Sequence, residues 1–188
     1  MTLRDSVRRL TARLGLSSGG GVRTGADATL GTAGDDDSPT ETLVDAGVLR
    51  PVDDGYVLAD EFGARWLDSM APFRAATAEQ VADGVRGVRQ DATVTVEDRE
   101  DGQTIVVSDA WDGVTLELSR AAAIADVAAV NTLAGSDIAP PDRLACLPVL
   151  RRHLEECPDC EASLVESGDD GEPVVTCPTC GAHFGEPR

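Results

Sequence analysis

Lysine is missing from this chain, and its absence removes several kinds of chemistry at once. All 16 basic residues are arginine, so there is no Schiff-base lysine and no lysine for a phosphate-binding loop. Histidine is nearly as scarce. The two present, His153 and His183, flank a cysteine-rich C-terminal stretch, which leaves no imidazole elsewhere for a Ser-His-Asp or Cys-His pair. No run of about eighteen apolar residues offers a membrane span. The N-terminus also lacks the apolar core of a signal peptide. A cytoplasmic protein with no membrane partner is the expectation.

What is abundant is acid. The chain carries 34 acidic residues, 22 Asp and 12 Glu, for a net charge of −18 over 188 residues. Together with many Ala, Val and Gly, this resembles the proteome style of salt-loving archaea, in which acidic surfaces keep proteins hydrated at molar salt. That resemblance implies a halophilic, archaeal source and makes a carboxylate-rich face a solvated surface rather than a site. Paired carboxylates therefore carry no catalytic signal. The length suits one ordinary domain plus a small metal module.

Five cysteines give the sharpest pattern. Cys157-Pro158-Asp159-Cys160 and Cys177-Pro178-Thr179-Cys180-Gly181 are two C-x-x-C pairs separated by sixteen residues. This is the spacing of a four-cysteine zinc site, in which each two-residue gap lets both sulfurs point into one tight turn. Between the pairs, Ala162–Glu166 and Pro173–Thr176 read as hairpin arms around a turn at Ser167–Gly171. The segment resembles the zinc ribbon family, most specifically through the C-P-x-C-G knuckle at 177–181. The resemblance implies Cys157, Cys160, Cys177 and Cys180 as ligands of one structural Zn2+ and implies no catalysis. An overlapping H-x3-C-x2-C string, His153 to Cys160, resembles the zinc module of anti-sigma factors. That module needs a further upstream ligand, and only Cys146 lies there. It would also leave the second pair idle. Cys146 sits in apolar Leu144-Ala145-Cys146-Leu147 and reads as a small buried hydrophobe. His183 reads as a surface residue or a neighbour of the ligands.

Five segments follow from the pattern along the chain. Residues 1–16 form a basic amphipathic helix with Leu3, Val7, Leu10 and Leu14 as its stripe. Residues 17–37, rich in Ser, Gly, Thr and Asp, form a flexible linker. Its Gly19-Gly20-Gly21 is no phosphate loop, because the glycine order is wrong and the lysine is absent.

Residues 38–90 open on Ser38-Pro39-Thr40-Glu41, a capping box, and the helix stops at Gly47. Val48–Val52 and Tyr56–Leu58 flank Asp53-Asp54-Gly55, a hairpin signal. Asp60 is placed to cap a helix holding Phe62, Trp66 and Leu67, which Met70-Ala71-Pro72-Phe73 should break. The string from Leu43 to Leu58 resembles the third helix and wing of archaeal winged-helix proteins. Its candidate recognition helix offers Glu41, Thr42 and Asp45 rather than cationic donors, so a protein-contact or packing role fits better than base readout. A second capping box, Thr77–Gln80, starts a helix with Val81, Val85 and Val88, weakened by Gly84 and Gly87.

Residues 91–156 change to a period of two and predict a three-stranded antiparallel meander through Val94, Val96, Ile105–Val107 and Val114–Leu118. Trp111 at the second turn reads as a lid on the core. Ser119 should cap a helix over 120–134 with Ile124, Val127, Val130 and Leu133 inward. A last helix from Pro140, striped by Leu144, Leu147, Leu150 and Leu154, should kink at Pro148 and lead into the ribbon at 157–188. The fold class is α+β: a winged-helix-like N-terminal part, a small antiparallel sheet with packed helices, and a C-terminal zinc ribbon.

Function follows by elimination and charge. Four thiolates close a zinc coordination sphere, which excludes metal catalysis there. Residues 157–188 carry seven acids against Arg188, and zinc with four thiolates adds −2. Such a ribbon repels phosphate, and molar salt weakens counterion release. A non-catalytic interaction module contacting a protein partner, as a regulatory adaptor, is the leading expectation. A nucleic-acid-binding, transcription-related regulator using the basic arm and the winged-helix-like segment is the alternative.

Overall fold

The computed structural model describes residues 38–53, 55–99, 102–109, 115–167 and 174–184. The expected helix over 1–16, the linker over 17–37, Trp111 and the tip of the ribbon hairpin lie outside the described residues. Among the described residues, the architecture is α+β, and no helix is long and apolar enough to cross a membrane.

Helix α1 (Pro39–Asp45) begins where the capping box requires, with the Ser38 amide donating to the Glu41 carboxylate at 3.1 Å. It ends in a Schellman turn. The Val48 N–H donates to the Leu43 carbonyl and the Gly47 N–H to that of Val44, with Gly47 at φ 69°. The turn feeds the antiparallel hairpin β1 (Leu49–Val52) and β2 (Gly55–Leu58). A helix followed by a hairpin is the local order that the winged-helix resemblance implies.

Helix α2 (Asp60–Arg74) corrects two expectations. Asp60 is its first helical residue rather than its cap, which is Ala59. Nor does Pro72 break it. Proline this close to the C-terminus removes a single ladder donor, and fully buried Met70 anchors the last turns. Phe62 and Trp66 are buried beside it, while Leu67 is exposed. Helix α3 (Ala78–Val88) starts at the Thr77 capping box and buries Val81 and Val85.

The meander has the expected order β3 (Ala92–Arg99), β4 (Gly102–Asp109), β5 (Thr115–Ser119), all antiparallel. Its register places Val94, Val96, Ile105, Val107, Leu116 and Leu118 on one face. The outer edge of β3 is partly covered: Arg86 donates twice to the Val94 carbonyl, at 2.9 and 3.2 Å.

Helix α4 (Arg120–Leu133) is capped by Ser119, whose hydroxyl accepts from the Ala122 amide at 3.1 Å. It presents more than the expected stripe, because every residue from Ala121 to Ala129 is buried. Helices α2, α3 and α6 and strands β4 and β5 all pack on it, so residues 38–90 and 91–156 share one buried cluster. Its alanines let these neighbours approach closely. Trp66 Nε1 donates to the Ala125 carbonyl at 3.0 Å, fixing α2 across α4. Gly84 of α3 serves the same end, since a Cβ there would lie 3.2 Å from Phe73 and Val127.

The last helix divides in two. α5 (Pro140–Ala145) and α6 (Leu147–Arg151) meet at Cys146, and Pro148 falls in the first turn of the second, where proline fits best. Leu154 leaves the helix yet remains buried. At the end of α6, Arg151 makes a bidentate pair with Asp126 of α4, at 2.8 and 3.0 Å, with both side chains almost wholly buried. Burial pushes the Asp126 carboxyl up, and the Arg151 guanidinium opposes that shift.

Two tests follow. Asp126→Asn or Arg151→Met alone should cost about 3–5 kcal/mol by leaving one buried charge unpaired, whereas Asp126→Leu with Arg151→Met should recover most of it. Denaturant unfolding measures both. In the same assay, Gly87→Ala, with open space at its Cβ, should gain about 0.5–1 kcal/mol from helix propensity. Gly84→Ala should gain less or lose.

Candidate metal centre

The C-terminal segment is built from one backbone unit used twice, over 155–164 and 175–184. The Cys157 N–H donates to the Ala162 carbonyl and the Cys177 N–H to the Ala182 carbonyl, both at 2.8 Å. The Glu161 and Gly181 amides return to the carbonyls of Cys157 and Cys177, both at 2.9 Å. Leu164 and Phe184 then donate to Glu155 and Val175, again both at 2.9 Å. Isolated bridges join Glu156 to Ser163 and Thr176 to His183. Among the described residues, the units are joined through the antiparallel strands β6 (Val165–Ser167) and β7 (Val174–Thr176), so the first arm pairs from Val165 rather than from Ala162. The repeat extends beyond the two C-P-x-C pairs to Ala162 and Ala182. This was readable in the sequence as a second match two residues after each pair.

The two turns bring the four cysteines together. Every Sγ of Cys157, Cys160, Cys177 and Cys180 lies within 4.8 Å of the others. Cys157 Sγ is 3.6 Å from Cys180 Sγ, and Cys160 Sγ is 3.4 Å from Cys177 Sγ. A tetrahedron of sulfurs bound at about 2.3 Å has edges of about 3.8 Å, so the quartet fits a tetrahedral ion with small adjustments. Cys157 and Cys177, which open the turns, are buried, while Cys160 and Cys180 are exposed. The thiols are not equivalent. Burial opposes ionisation of Cys177, but the amides of Cys180 and Thr179, together with hydrogen bonds from the Cys160 and Cys180 thiols, bring that thiol down to about 7. Burial instead pushes Cys157 and Cys180 above the ordinary thiol value. A bound cation would have to displace protons from the thiols that burial holds above their ordinary value.

The remaining candidates stand apart. Cys146 is wholly buried where α1 meets α5, its thiol 3.6 Å from the Pro39 carbonyl, and burial with nearby Asp142 raises it to about 11. It packs as the small hydrophobe its setting suggested. His153 is half-buried, its basicity lowered by burial and by Arg152, and it is not part of the quartet. His183 is exposed on the second unit.

The first turn is clamped to the body. Arg74, at the end of α2, donates through Nε to the Pro158 carbonyl at 3.1 Å and pairs with Glu161 at 2.8 Å. Arg120, opening α4, pairs with Asp159 through Nη1. Its Nη2 donates to the carbonyls of Phe73 and Arg74 at 3.1 Å and of Ala76 at 2.6 Å. Sequence reading missed both arginines, since nothing in their local pattern distinguishes them from surface charge. Cys157, Cys177, Ala182 and Phe184 join the apolar cluster of the body.

Residues 37–152 match a family model described as a family of unknown function (DUF8054), central domain, and the match takes in well over half of the chain. The chain belongs to the DUF8054 family. No curated protein and no solved structure matches it. The DUF8054 central domain ends beside the last residue of α6, so the quartet lies outside it, while Arg74 and Arg120, which clamp the quartet, lie inside.

Loading should tighten as pH rises from 6 to 8, since protons compete with the ion for sulfur. Competition with a chromogenic chelator at both values measures this. The double variant Cys157→Ser, Cys177→Ser should lose stoichiometric binding, and a full equivalent of metal retained by it would remove the assignment.

Proposed function

We propose that this chain is a zinc-stabilised, non-catalytic interaction module that contacts a protein partner, as an adaptor in a regulatory assembly. The observation that carries the reading is the closed quartet of thiols, held by two matched turns, the first of which is clamped to the body by Arg74 and Arg120. Four cysteine sulfurs favour zinc and leave no coordination position for a substrate. The second turn keeps Pro178, Thr179, Cys180 and Gly181 exposed. Cys180, Gly181 and His183 border a cleft of about 240 Å³ whose other titratable side chains, Arg120 and Asp159, are already paired with each other. That arrangement supports recognition better than turnover.

Charge supports a protein partner over nucleic acid. The hairpin β1–β2 that would serve as a wing exposes Val52 and Tyr56, and its Arg50 pairs with Asp60 at 3.4 Å. Phosphate binding needs free cations there. Native mass spectrometry with elemental analysis should find one zinc per chain. In a mobility-shift assay at low and at molar salt, the zinc-loaded protein should leave duplex DNA unshifted. A sequence-specific shift that persists at high salt would establish the nucleic-acid regulator instead.

A further inference from the structure

The two turns of the metal centre share one backbone pattern, and they differ where the body touches the first. Thr179 and Gly181 of the second turn are exposed, and their counterparts Asp159 and Glu161 are the residues that engage Arg120 and Arg74. Position 161 makes the difference more telling. Gly181 adopts φ 75°, a left-handed conformation natural to glycine, while Glu161 holds φ 59° with a side chain that disfavours it. A strained carboxylate stands where glycine would be easier, and it reaches Arg74 at 2.8 Å.

The body side is equally specific. Arg120 is about one-fifth exposed and divides its donors: Nη1 faces Asp159, and Nη2 faces three carbonyls at the end of α2 and the α2–α3 junction. Pairing with Asp159 holds the planar guanidinium in the one orientation that serves all three. Without Asp159, a partly buried cation loses its counter-charge and gains by turning toward water, which abandons those carbonyls. Asp159 and Glu161 are in place only when the Cys157–Cys160 turn is formed. A bound ion would tie that turn to the second through all four sulfurs, adding a cross-link to the burial of Cys157, Cys177, Ala182 and Phe184.

We propose that the first turn is a metal-dependent latch. Loading the four-cysteine site sets Asp159 and Glu161 against Arg120 and Arg74, which closes the end of α2 and the α2–α3 junction. Removing the ion releases both arginines and loosens that junction. The latch rests on the reading of the quartet as a metal site, and by linkage it makes the DUF8054 central domain responsive to an ion bound outside it.

The test is hydrogen exchange on the full chain, with and without zinc, followed at residues 73–77. Wild-type protein should exchange there about tenfold faster after chelation, within the usual range of coupling between sites. The variant Asp159→Thr, Glu161→Gly carries the second turn's own residues, so it should still load one zinc. In it, zinc-loaded exchange at 73–77 should already be fast and chelation should add nothing. Arg74→Ala, which leaves the knuckle sequence intact, should reduce the response to chelation in the same direction. Wild-type protein that binds one zinc and shows unchanged exchange at 73–77 on chelation would overturn the latch alone. Failure of wild-type protein to bind zinc at all would overturn the metal reading and the latch with it.

Discussion

Close approach to one small-faced helix is the constraint on which the rest of this structure depends. Helix α4 carries six alanines among its fourteen residues and is buried from Ala121 to Ala129. Four helices and two strands can reach it because so little side chain stands in the way. Burial on every side has a consequence for polar groups: any that α4 carries inward must be matched. Asp126 meets Arg151 through two hydrogen bonds, and the Ala125 carbonyl also accepts from Trp66. The specificity of the packing lies in these matched groups, since alanine faces alone would allow the neighbours to slide.

The arginines follow the same logic. In a chain with twice as many acids as bases, positive charge is a limited resource, and four of the described arginines join separate parts of the fold, while Arg99 pairs with Glu97 and Glu117 at the surface. Arg151 closes α6 on α4, Arg86 caps the edge of β3, Arg74 grips the first metal turn, and Arg120 gathers three carbonyls and a carboxylate. Each of these tasks uses a planar fork with several donors in fixed directions. An ammonium group, compact and more strongly hydrated, could not reach the acceptors around Arg120 from one position.

How much of this was legible depended on whether the signal was local. The capping boxes at Ser38 and Thr77, the Gly47 terminator, the Ser119 cap and the two C-x-x-C pairs are read within a few residues, and the structure has each of them. Periodicity likewise placed the meander and the α+β class. Pro72 misled because a proline is read without knowing how near the helix end it lies, or that Met70 anchors the turn. The burial of Asp126 was invisible for a more basic reason. In so acidic a sequence one more aspartate carries no information, and its partner lies 25 positions away. The same holds for Arg74 and Arg120, whose roles exist only once the ribbon has come back to them.

The metal centre is therefore best understood through its asymmetry. Two turns with matching hydrogen bonds would present the same face twice if sequence did not separate them. The first turn exchanges glycine for glutamate at a left-handed position, at a cost of about 1 kcal/mol or more. A strained residue persists only where its surroundings over-determine it, and here the surroundings are Arg74 and, through Asp159, Arg120. The second turn keeps glycine, has no such arginine clamp among the described residues, and leaves Pro178 to Gly181 exposed while Cys177 and Ala182 are buried. Strain thus marks the turn that pairs with the arginines of the body, and the turn without it meets the body through buried Cys177 and Ala182 instead. That division makes the two C-P-x-C turns unequal in their attachment, one held by charge and hydrogen bonds and the other by apolar burial.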